Sequence, residues 1–89
     1  MADPDDIDSS DVLERAEQTQ AKSKALREQV ARAAEAVAKT EQEVARVHRQ
    51  LADQGGPQAA EAREQATRAE EIAVKERAEA ERLRRAEPG

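Results

Sequence analysis

Eighty-nine residues suffice for one small domain with a thin core, and this chain has little to build one from. It carries no Phe, Tyr, Trp or Cys, and only six Val, four Leu and two Ile beside 20 Ala. The missing Cys exclude disulfides, thiolate metal sites and thiol redox chemistry. Most of the net charge of −5 sits in the opening MADPDDID, which leaves a nearly neutral, densely charged body of the kind found on solvated helices.

Residues 1–9 read as a disordered acidic tail, with four Asp, one Pro and one Ser. Its short apolar point at Ile7 suits a basic partner groove, and Ser9 and the adjoining Ser10 are candidate phosphorylation sites that would strengthen the helix cap. A helix start follows: Ser10 and Asp11 are good N-caps, and Asp11 with Glu14 has capping-box spacing.

From residue 10 to 54 there is neither Gly nor Pro, so one long helix is predicted. Steps of three and four residues from Val12 reach Ala16, Thr19, Ser23, Leu26, Val30, Ala33, Val37, Thr40, Val44, Val47 and Leu51 without meeting a charge. In a chain that is 39% charged, such a row is a heptad seam. Gly55-Gly56-Pro57 then supplies a helix stop and a helix start, with Gly55 left-handed and Pro57 at the first position of the next helix. The second helix is predicted over 58–87, ended by Pro88-Gly89.

That helix offers its own row: Ala59, Ala62, Ala66, Ala69, Ala73, Glu76, Ala80 and Leu83. Folded back at the glycines, it pairs Leu51 with Ala59, Val47 with Ala62, Val44 with Ala66, Thr40 with Ala69, Val37 with Ala73, Ala33 with Glu76, Val30 with Ala80 and Leu26 with Leu83. Larger side chains meet alanine at six of the eight layers; the other two set Ala33 against Glu76 and Leu26 against Leu83. The predicted fold is therefore all-α, an antiparallel two-helix coiled-coil hairpin with an acidic tail, thin enough to assemble into a larger helical bundle. The alternative is a continuous helix in a parallel dimer, with Gly55-Gly56-Pro57 as a kink.

A second stripe lies beside the first: Ala31, Ala34, Ala38, Ala45 and Ala52, broken by Glu41 and His48. With Val12, Leu13 and Ala16, which overhang the shorter helix, and Ile72 and Val74 off the seam, it forms the expected partner-binding surface.

Catalytic groups are scarce. His48 is the one histidine and has Ala45, not Glu, three residues before it, so the E-x-x-H ligand pair of di-metal bundles is missing. Glu41/Glu43, Glu70/Glu71 and Glu79/Glu81 read as solvated faces, and Gly55-Gly56 is too short to cradle a phosphate. Arg82-Leu83-Arg84-Arg85 is the strongest basic cluster, but the chain is acidic and ring-free, and a helix C-terminus favours such charge by itself. No enzyme, cofactor, metal, small-molecule substrate, nucleic acid or membrane is expected. No apolar run is long enough to span a bilayer, and an acidic N-terminus is unlike a signal peptide, so a cytoplasmic location is expected. Arg-over-Lys usage with abundant Ala points to a GC-rich, bacterial genome.

The expected function is a protein-interaction module, a hairpin that self-associates or binds a helical partner as scaffold, adaptor or regulator. An alternative of another class is a transcription effector whose hairpin tip, here with Asp53 and Glu61, acts on RNA polymerase.

Overall fold

In a computed structural model that describes residues 9–86, the chain is two α-helices joined by a tight turn: α1, Ser9–Asp53, and α2, Ala59–Arg85. Neither span contains Gly or Pro, and Ala, Glu, Arg and Gln fill most positions, residues that lose little freedom in a helix. Since α1 begins at Ser9, Asp11 lies in its first turn and not at its cap. There its carboxylate faces the positive end of the helix dipole. The rest of the predicted acidic tail, residues 1–8, lies outside the described residues.

The turn is built on two left-handed glycines. Gly55 and Gly56 have φ of 73° and 92°, a region that costs a residue with a Cβ about 1–2 kcal/mol. The Gly55 amide donates to the Ala52 carbonyl at 3.0 Å, and the Gln54 amide to those of Gln50 and Leu51 at 3.2 Å. These bonds tighten the end of α1 and occupy carbonyls that lack helical partners. Pro57 stands two residues before α2 instead of opening it; Gln58 is the cap residue, and the Ala59 amide reaches the Gly56 carbonyl at 3.2 Å. The turn thus spans 54–58, wider than the predicted 55–57. At the other end, Ala86 caps α2 by donating to the Arg82 carbonyl at 3.0 Å.

The helices return antiparallel in a rod of 84 × 18 × 13 Å. Arg84 at the end of α2 meets Glu28, and Glu70 meets Arg49 nearer the turn. At a rise of 1.5 Å per residue, α2 covers about 40 Å of an α1 that is about 67 Å long. Upstream of Lys24, which lines a hollow with Leu83, Arg84 and Ala86, residues 9–22 of α1 are all exposed.

What joins them is alanine. The buried side chains are Ala31, Ala34, Ala38, Ala45 and Ala52 of α1 and Ala62, Ala66, Ala69, Ala73 and Ala80 of α2, and among the described residues none larger is buried. Two clusters lie along the contact: Ala31, Ala34 and Ala80 with Leu83 packed on them, and, nearer the turn, Ala45 with Ala66 and Ala69. Ala59, Glu76 and Leu83 are half-buried along the same row of α2.

This corrects the face assigned to α1. Leu26, Val30, Ala33, Val37, Thr40, Val44, Val47 and Leu51, the predicted seam, are all exposed, Leu26 to 61% and Val30 to 53%, whereas Ala31 and Ala38 stand at 0%. The five alanines read as a partner surface are the seam. The two rows differ by one residue, a rotation of α1 by about 100°. Two effects select the alanine row. Facing methyl groups let the axes close to about 8 Å, so that backbone as well as side chains gain dispersion contacts along the whole length. The same rotation aims Glu28, Glu35 and Arg49 at Arg84 and Glu70; with the valine row inward these charges would turn aside. Leu83 accordingly packs on the cluster of Ala31, Ala34 and Ala80, while Leu26 is exposed.

Candidate interaction surface

Two unlike flanks border the alanine seam. One is charged. Arg84 donates through Nη2 and Nε to Glu28 at 3.1 and 3.2 Å and through Nη1 to Glu35, while Arg49 pairs with Glu70. Hydrogen bonds from Arg84 are the main cause that holds the Glu28 and Glu35 carboxyls below their ordinary value, and the two carboxylates in turn raise the guanidinium. Folded-state carboxyls with lowered pKa stabilise the fold above their unfolded value, and that contribution disappears as pH falls through the folded one. Melting scans should therefore show Arg84→Ala less stable than the parent at neutral pH. The gap should shrink steadily below about pH 4.5, the ordinary Glu value, and a gap that persists in acid would contradict this linkage.

The other flank is apolar. Val30, Val37, Val44 and Leu51 recur every seven residues beside the seam, with Leu26 and Val47 on the next row out. The register set by Glu28–Arg84 places Ile72, 41% exposed, on this same side of α2. At the closed end the flank opens into a shallow concavity lined by His48, Leu51, Gln54, Gly55, Gln58, Glu61, Ala62 and Gln65. Beyond α2 the row continues up the bare part of α1 through Ser23, Thr19 and Ala16 to Val12, beside the exposed Leu13. Of the predicted partner surface, then, Val12, Leu13, Ala16, Ile72 and Val74 face solvent, and Ala31, Ala34, Ala38, Ala45 and Ala52 do not. No charge interrupts the exposed row over about 60 Å.

The other residues singled out in the sequence take structural places. His48 and Glu41 are half-buried at the steps of the alanine row that lack alanine. Arg82 pairs with Glu79, Arg84 with Glu28 and Glu35, and Arg85 with Glu81, so each arginine of the basic cluster is engaged within the chain. Glu43 accepts from Arg46 at 2.6 Å. Among the described residues no three His, Asp or Glu gather to hold a metal ion, and no helix is long and apolar enough to cross a membrane. The arginine that binds two glutamates was not anticipated; its signal was the seven-residue spacing of Glu28 and Glu35, one face of a helix.

The fold defines an all-α, two-helix hairpin with one charged and one apolar flank. The chain matches no known protein family, no curated protein and no solved structure.

Proposed function

We propose that this chain is a non-catalytic protein-interaction module, a hairpin that closes on its alanines and presents its valines and leucines to another helix. One observation carries the reading: the uncharged heptad row from Val12 to Leu51 is exposed, although its spacing is that of a seam between helices. Such a row left in water is a contiguous apolar surface of the kind that marks interaction sites. A groove-docked helix would bury it by the same heptad logic.

A photoreactive amino acid placed at position 44 in the full chain, inside cells, should give one dominant adduct with a polypeptide, this chain included. The same group at Gln42, on the opposite side of α1 from the row, should not. If positions 37, 44 and 47 yield no more adduct than position 42, the reading fails.

A further inference from the structure

Resting on that reading, we propose that the occupant of the apolar flank is a second copy of this chain, laid antiparallel so that Val12 of each copy meets Leu51 of the other. The shape of the molecule points there. Upstream of Lys24, which lines a hollow with Leu83, Arg84 and Ala86, residues 9–22 of α1 are all exposed, and a helix with no packed face draws no stability from tertiary contacts. Downstream, α1 is backed by α2 but its apolar row is bare. Antiparallel overlap sets each lone segment against the other copy's two-helix segment and covers both halves of the row at once. The two-fold axis falls near Ala31, and a self-complementary contact of this kind closes as a dimer.

Residue by residue the register is consistent. Val12 faces Leu51 and Leu26 faces Val37, apolar against apolar, while Ala16 faces Val47 and Thr19 faces Val44, small against large. Leu13, 62% exposed, comes over His48 of the second copy and so reaches the concavity that His48 and Leu51 line. Charge selects the direction. In the antiparallel register Lys22 lies beside the second copy's Glu43, twice by symmetry, and no like charges oppose each other along the row. Glu43 accepts from Arg46 on Oε2, which leaves Oε1 for the lysine. A parallel, in-register pair would instead set Lys22 against the second copy's Arg27, again twice.

The absence of Cys from the natural chain makes the test direct. Full-length Thr19→Cys and Val44→Cys variants, mixed and oxidised, should form the mixed disulfide in preference to either homodisulfide, and sedimentation should show twice the 9.8 kDa chain mass. Lys22→Glu should weaken the dimer about fivefold, with Lys22→Glu/Glu43→Lys restoring it. A monomer at high micromolar concentration overturns the proposal; if the position-44 adduct with another protein persists, the interaction reading survives and only the second copy is lost. Homodisulfides that dominate overturn the antiparallel direction, and a dimer that forms neither product overturns the register.

Discussion

Ala38→Leu is expected to destabilise the hairpin by about 1–3 kcal/mol, enough to open much of a two-helix structure whose buried side chains, among the described residues, are all alanine. Ala38 has no exposed surface, and the buried residues of the facing helix are alanines. Three added carbons have no free volume to enter, so the axes must part over the neighbouring layers and lose contacts there as well. The informative partner is Ala33→Leu. Ala33 belongs to the predicted seam but is exposed in the structure, so its enlargement should change stability by no more than about 0.5 kcal/mol. Urea unfolding followed by helicity at low micromolar concentration reads both variants. Equal costs, or a larger one at Ala33, would mean that α1 turns its other row toward α2.

That pair of variants also isolates what could be read from the chain and what could not. The two helices and the reversal between them follow from local chemistry. Long Gly-free spans, Ala and Glu abundance and Gly55-Gly56 each act within a few residues of where they stand. Even the left-handed turn is a local matter, because only glycine takes φ of 73° and 92° cheaply. Which face of α1 turns inward is not local. It depends on the sum of close approach along α2 and on pairs such as Glu28 with Arg84, far apart in sequence. Two acceptable rows lie one residue apart on α1, and the usual rule favours the one with larger aliphatics. On α2 only one row is rich in small residues, so its buried set, Ala62, Ala66, Ala69, Ala73 and Ala80, faces no such competition. Pro57 illustrates a smaller non-local effect: helix-start chemistry fits it, but the reversal after two left-handed glycines needs two more residues before α2 can begin.

The rotation of α1 changes the meaning of its valines, and a second substitution makes that measurable. Val37→Lys/Val44→Lys places two charges in the middle of the exposed row. With these positions 42% and 37% exposed, lysine can extend its stem along the surface and keep its ammonium in water. Helicity and melting of the dilute hairpin should therefore stay close to the parent. Binding of any helix along the flank should not survive. Full burial of a valine contributes roughly 1.5–3 kcal/mol, and about 40% of each is left to bury here, so the loss of two weakens association by about 10-fold or more, and the cost of desolvating two ammonium groups adds to it. In a symmetric dimer both copies carry the change and the effect doubles in free energy. Circular dichroism at dilution together with sedimentation at high concentration separates the two quantities. Should the variant melt far below the parent while dilute, the valines belong to the hairpin's own seam, and the flank presented to a partner would have to be the alanine row instead.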